Sequence, residues 1–278
     1  MIVYNAYWKS ILVILLSTIG VASSAQCVVT GRLTNEHGEA VEYASIGFEG
    51  DTVGVLSDLS GHFKLTIPAG RMDDLVFSHV SYLPATVPYS IYSSGKELNL
   101  AMRNKLVELA PIVVSNKRKA RTLTGKSLIS FSDCGFRGSN IDFLEFGPVF
   151  QNKKGYEVCD IRLLVKKCTY EQCTLSFNIY EVRGDKFFNI LNKPIYRKVT
   201  PSDNGKLLHV SPEEIIMLQG KKRYCICLCV VDNKGRGEIS FPITFKSCYA
   251  RNNVKGKRRR LPAGPAIIVK GYEVLGEN

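Results

Sequence analysis

Apolar and polar positions alternate along most of this chain. Phe63, Leu65 and Ile67 are interleaved with His62, Lys64 and Thr66. A period of two turns one apolar face inward and one polar face outward, the mark of a half-buried strand. Leu98, Leu100 and Met102 repeat it around Asn99 and Ala101, and Leu175, Phe177 and Ile179 repeat it around Ser176, Asn178 and Tyr180. Further strands are expected at Ile195 to Val199, Leu207 to Val210, Tyr224 to Val231, Ile239 to Phe245 and Ala266 to Val274. Turn residues separate them. Asp58-Leu-Ser-Gly61 combines an Asp that can bond its own backbone with a Gly that tolerates positive φ. Asp203-Asn-Gly205 and Asp232-Asn-Lys-Gly235 serve the same purpose further on. One helical turn is expected at Ser211-Pro-Glu-Glu214, where serine caps, proline suits the first turn and Glu214 completes a capping box.

The pattern predicts two all-β domains. About seven short strands fit before residue 114. Asn116 to Lys126 carries the run Asn116-Lys-Arg-Lys-Ala-Arg121, has no apolar period and reads as an exposed basic linker. This gives a first domain over residues 26–115, a linker over 116–126 and a second domain over 127–278. The chain has 278 residues, ample for two sandwich cores.

The stretch from Val28 to Tyr82 carries more than periodicity. Gly31-Arg-Leu-Thr-Asn-Glu-His-Gly38 leads to Val41-Glu-Tyr43-Ala-Ser-Ile46, then to Gly54-Val-Leu-Ser-Asp58-Leu-Ser-Gly61-His-Phe63-Lys-Leu65 and Leu75-Val-Phe77-Ser-His79-Val-Ser81-Tyr82. This spacing resembles the carboxypeptidase regulatory-like domain. The resemblance implies a small transthyretin-like, Ig-like β-sandwich with no active site of its own. Ser81 stands where that family usually has glycine. The second half, through Phe177-Asn-Ile179-Tyr180-Glu181, Leu191-Asn-Lys-Pro194-Ile195-Tyr196 and Gly205-Lys-Leu207, looks like the β-sandwich that follows such domains in secreted proteins of Bacteroidota. It implies a jelly-roll-like sandwich. Arg260-Leu-Pro-Ala-Gly-Pro265 lacks the tryptophan often found there.

Met1 to Ala25 reads as a secretory leader. Lys9 is its only charge, Ile11 to Val21 is apolar, and Ser23-Ser24-Ala25 supplies the small residues of a cleavage site after Ala25. The apolar run is shorter than the roughly 20 residues that span a bilayer. An uncleaved anchor and a lipid on Cys27 are the alternatives. Loss of residues 1–25 removes one Lys and no acid, so a net charge of +12 becomes +11. Such a balance favours anionic glycan, lipid head groups or an acidic envelope protein. Nucleic acid is discounted for an exported chain, and no span is expected in the mature protein. Export would permit disulfides among the nine cysteines. Cys168 and Cys173, at either end of a hairpin-like loop, are the best local candidates.

Chemistry is sparse. His37, His62, His79 and His209 form no metal-binding spacing, and nothing supplies the two histidines and carboxylate of a zinc carboxypeptidase. Asp73-Asp74 and Glu213-Glu214 are adjacent, so on a strand they would face opposite ways. Cys225, Cys227 and Cys229 alternate along a predicted strand, with sulfurs about 7 Å apart by strand rise, and read as buried thiols. Cys248 is a candidate cross-strand partner for that row. Lys255-Gly-Lys257-Arg258-Arg259-Arg260, with Arg251 nearby, is the densest charge run and a candidate anionic contact, since arginine forks onto carboxylate and phosphate. The sequence therefore points to a non-enzymatic envelope protein that binds or scaffolds, with no catalytic residue, metal or cofactor. A carbohydrate-binding accessory protein is the alternative, favoured if tyrosines gather on one concave face. A hydrolase would need distant acids and histidines to converge.

Overall fold

The computed structural model describes residues 26–49, 53–105, 119–124, 132–138, 144–252 and 258–274. In the first sandwich, β1 (Cys27–Asn35) lies between antiparallel β4 (His62–Ile67) and parallel β7 (Leu98–Met102). The facing sheet runs β3 (Gly54–Leu56), β2 (Ser45–Gly47), β5 (Leu75–Ser78), β6 (Ala85–Val87). These are the seven strands the pattern called for. Burial along β4 alternates as expected, with Phe63, Leu65 and Ile67 inside. Leu33, Ile46, Leu75 and Phe77 fill the space between the sheets. The Asp58 turn forms as read: Asp58 Oδ1 accepts from the Ser60 and His62 backbones at 2.8 and 2.9 Å, and Gly61 sits at φ +80°. Gly31 is required where β7 joins β1, because a Cβ there would lie 2.0 Å from the Leu98 carbonyl oxygen. A single helical turn, α1 (Tyr89–Tyr92), was not foreseen; it buries Tyr92, whose hydroxyl donates to the Asp73 carbonyl at 2.6 Å.

The second sandwich is larger. One layer runs β14 (Lys186–Asn189), β13 (Gln172–Arg183), β18 (Arg223–Lys234), β10 (Leu144–Gln151), β20 (Cys248–Asn252), β21 (Arg258–Leu261), with β15 (Ile195–Val199) also paired to β13. The opposing layer holds β16 (Leu207–Val210), β11 (Tyr156–Leu164), β23 (Ile268–Glu273) and β8 (Arg121–Thr122), with β17 (Ile216–Leu218) on β11. A neighbouring sheet of β12 (Lys167–Cys168), β19 (Gly237–Thr244), β22 (Gly264–Pro265) and β9 (Asp133–Gly138) extends it. Leu175, Phe177, Ile179, Ile226 and Leu228 meet Ile161, Leu163 and Val269 in the core. Both halves are thus β-sandwiches. Among the described residues no helix is long and apolar enough to cross a membrane.

Three expectations change. Residues 121–124 are not linker but the entry to the second sandwich: Arg121–Thr122 pairs with β23, Leu123 is buried, and Thr124 Oγ1 accepts from the Val269 backbone at 3.0 Å. The second domain therefore begins before residue 127; residues 116–118 and 125–126 lie outside the described residues, as do 1–25. The helical turn falls at Pro201–Asp203, capped by Thr200 and Asp203, rather than at Ser211–Glu214. Glu214 instead accepts from the Asn192 and Lys193 backbones at 2.7 and 2.8 Å, and the local capping signal loses to that tertiary use. Cys248 lies opposite Pro148 in the ladder, whereas Tyr249 lies opposite Gly147, whose carbonyl accepts from the Cys225 thiol. Strand alternation therefore puts Cys248 on the sheet face away from Cys225, Cys227 and Cys229.

The cysteine row shows what the long sheet does with its second face. Tyr224, Ile226, Leu228 and Val230 join the main core, while Cys225 and Cys227 are buried on the other side with Tyr180 and Val182. Cys229 and Val231 are buried there too, against Tyr43 and Leu56 of the first domain. Both faces of β18 are dry, so small thiols fit where bulkier residues would crowd a second packed layer.

A cleft between the two sandwiches

The outer face of β13 and β18 meets the outer face of the β3–β2–β5–β6 sheet. On one side the two faces close. Tyr43 packs edge-on against Tyr196 with ring centroids 5.2 Å apart, beside Leu56, Cys229 and Val231. Tyr43 holds φ 54°, a costly conformation for a bulky residue, and the contact keeps it there. On the other side the faces diverge and enclose a cleft of about 710 Å³. Its floor includes Ser176, Asn178, Tyr180 and Tyr196; its roof includes Ser45 and the segment from Ser78 to Pro84; Phe187, Phe188 and Asn189 of β14 form one flank. Tyr43, Tyr82, Tyr180 and Tyr196 all line it.

A buried ion pair stands at one end. Glu145, 0% exposed, lies directly opposite Arg251 in the β10–β20 ladder. Arg251 Nε donates to Glu145 Oε1 at 3.1 Å, and the Tyr180 hydroxyl and Asn178 Nδ2 each reach Oε2 at 3.1 Å. Asn189 Nδ2 in turn donates to Asn178 Oδ1 at 3.1 Å. The Arg251 guanidinium lies 4.5 Å from the Tyr180 ring centroid and 5.6 Å from that of Phe187, within cation–π range. Burial pushes the Glu145 carboxyl above its ordinary range, while Arg251, Tyr180 and Asn178 pull it back. Burial works against the Arg251 charge as well, but Tyr180 and Glu145 hold the guanidinium above its ordinary value. Gly147, two residues along β10 from Glu145, lets that strand approach β18 closely. A Cβ there would lie 1.8 Å from the Ile226 carbonyl oxygen.

His79 stands in the roof. Its Nδ1 accepts from the Ser81 backbone at 3.2 Å, so the neutral ring carries its proton on Nε2. Burial lowers its pKa to about 4, which keeps it neutral at physiological pH. Two donors in the cleft wall, His79 Nε2 and Arg251 Nη1, are buried with no hydrogen-bond partner among the described residues, a state rare for buried polar groups.

The residues singled out by sequence fall in several places. Arg251 is part of the cleft, paired and only 14% exposed at its side chain, and so is not a free member of the basic run. Arg259 and Arg260 are exposed on β21, Arg258 begins that strand, and Lys255 and Lys257 lie outside the described residues. Cys168 and Cys173 are free thiols, both buried, and the Cys168 thiol donates to the Tyr170 carbonyl at 3.9 Å. Cys27 is a free, half-buried thiol at the first position of β1. His62 is exposed and His209 lies 3.2 Å from Asp160, far from any cluster. Among the described residues no group of three or more His, Cys, Asp or Glu could hold a metal ion. Glu145, Asn178, Tyr180 and His79 were missed as site residues. Only the period-two face of β13, which puts Ser176, Asn178 and Tyr180 together, hinted at them.

Comparison with known proteins assigns the front of the chain. Residues 29–114 match the CarboxypepD_reg-like domain family. That stretch is a carboxypeptidase regulatory-like domain, a non-catalytic Ig-like module, and it covers less than a third of the chain. No curated protein matches the sequence. Among solved structures, the infectious bursal disease virus VP2 subviral particle is 12% identical over 91% of this chain and 76% of its own, with a TM-score of 0.22. The structure of the infectious bursal disease virus Gx strain is 13% identical over 90% of this chain and 59% of its own, with a TM-score of 0.21. Scores of this size do not establish a shared fold.

Proposed function

We propose that this chain is an exported, non-enzymatic binding protein of the bacterial cell envelope, and that the cleft between its two sandwiches is the ligand seat. The single observation that carries the reading is the cleft itself. About 710 Å³ of space is lined by four tyrosines, with two buried donors in its wall that have no partner among the described residues. Ligand sites are concave, mostly apolar and fixed by a few polar groups of this kind. Export rests on the leader pattern of Met1 to Ala25, and the absence of chemistry in the front module agrees with a binding role.

The test is capture from envelope extracts with the mature chain, wild type against a Leu83→Glu/Phe188→Asp variant. Both side chains line the cleft and are already exposed, so the fold tolerates the change. Material retained by the wild type and lost by the variant, identified by mass spectrometry, supports the seat. Identical capture refutes it.

The tyrosine cluster favours one second reading, a carbohydrate-binding accessory protein. Tyrosine gives a flat apolar face with a polar edge at low entropic cost. A hydrolytic reading finds less support. His79 and Glu49 both line the cleft, but no hydrogen bond joins them among the described residues.

A further inference from the structure

The last arginine of the basic run and the cleft share one sheet face. In the β20–β21 ladder, Arg260 lies opposite Tyr249 and Arg258 opposite Arg251. Directly opposed residues share a sheet face. Arg251 and the ring of Tyr249, 5.1 Å from that of Phe187, belong to the outer face that floors the cleft. Register therefore places Arg260 on that same face. Arg259 falls on the other. Arg260 Nε donates to Ser247 Oγ at 3.0 Å, which leaves its terminal nitrogens to solvent, and no acid pairs with it among the described residues. Among the described residues β21 pairs only with β20 and ends the sheet on that side.

Resting on the reading of the cleft as a ligand seat, we propose that this face binds an acidic glycan chain. Its sugar rings lie in the tyrosine-lined cleft and a carboxylate reaches Arg260 on β21. Four strand spacings separate β13 from β21, about 19 Å, the length of a short oligosaccharide rather than of one sugar. Aromatic rings mark the path: Tyr180 and Phe187 stand 5.8 Å apart, and Tyr249 follows. Arg251 is already neutralised by Glu145, so it cannot set a preference for acidic over neutral sugars. That preference comes from Arg260, whose forked guanidinium group suits a carboxylate.

The test is calorimetric titration of the mature full chain with a tetragalacturonate, a neutral maltotetraose and a tetraglutamate peptide. Wild type is expected to prefer the uronate tetramer to the neutral one and to bind the peptide weakly. Arg260→Ser, at an exposed edge position, is expected to weaken uronate affinity about fivefold and leave maltotetraose unaffected. Leu83→Glu/Phe188→Asp is expected to abolish binding of both sugars. Uronate affinity unchanged in the arginine variant but lost in the cleft variant overturns the proposal and leaves the cleft as seat. Loss in the arginine variant but not in the cleft variant overturns both. Equal affinity for tetraglutamate reduces the site to charge alone, and failure of either tetramer to bind removes the glycan; each overturns the proposal.

Discussion

Acidification reads the cleft roof directly. The unfolded chain protonates His79 through its ordinary value of 6.5, whereas in the folded protein burial holds that step near 4. Between those values the unfolded state binds more protons. The contribution to stability is therefore complete above pH 6.5 and is lost as the pH falls towards 4. A displacement of this size corresponds to about 3 kcal/mol once both states are protonated, of which about 2 kcal/mol is gone by pH 4.5. Many carboxylates titrate in the same range, so wild type alone would not isolate the effect. The comparison is with His79→Gln, whose side-chain oxygen can still accept from the Ser81 backbone. Urea unfolding at pH 7 and pH 4.5 should show the wild type losing about 2 kcal/mol more than the variant, with unchanged slopes. Proton NMR of the His79 ring should give a midpoint near 4. Equal acid sensitivity in the two proteins, or a midpoint near 6.5, would show that the ring is open to water and that the roof is not packed as described.

Glu145→Ala leaves the Arg251 charge, the Tyr180 hydroxyl and the Asn178 amide without their acceptor, and should cost about 3–5 kcal/mol in urea unfolding; a loss below about 1 kcal/mol would mean the pair is solvated. Gly147→Ala drives a Cβ into the Ile226 carbonyl and should prevent β10 from pairing with β18, seen as a loss of more than about 4 kcal/mol or of soluble protein; near-normal stability would contradict the ladder. Cys225, Cys227 and Cys229 should resist a thiol-labelling reagent in native buffer and react together on unfolding, by mass spectrometry of labelled peptides; rapid native labelling would contradict the burial of both faces of β18.

Strands with one wet face were legible. His62–Ile67 alternates in sequence and in burial alike, and Ile195–Val199 and Leu207–Val210 fall where their pattern put them. The cysteine row was also read correctly as buried thiols, because aliphatic neighbours on the alternate positions left it no polar side. What covers that row was not legible, since it depends on the docking of another domain. Arg251 shows the same limit. Along the chain it belongs with Lys255 and the arginines, but in space its neighbour is Glu145, brought there by ladder register that no local pattern encodes. His79 looked like one of four unremarkable histidines, and only the roof position separates it from exposed His62. Arg121–Thr122 was taken for linker because two residues cannot display a period and their neighbours are charged.

The dry second face of β18 bears on how such a protein can be assembled from parts. A front module joined only by a string could be exchanged for another like a cassette. Here Tyr43 and Leu56 act as the lid on Cys229 and Val231. A rear half synthesised without its companion would show water an oily strip at mid-sheet and should clump. The pair must therefore be inherited, engineered and crystallised as one piece, and a replacement front module would have to bring a matching tyrosine with its unusual backbone twist.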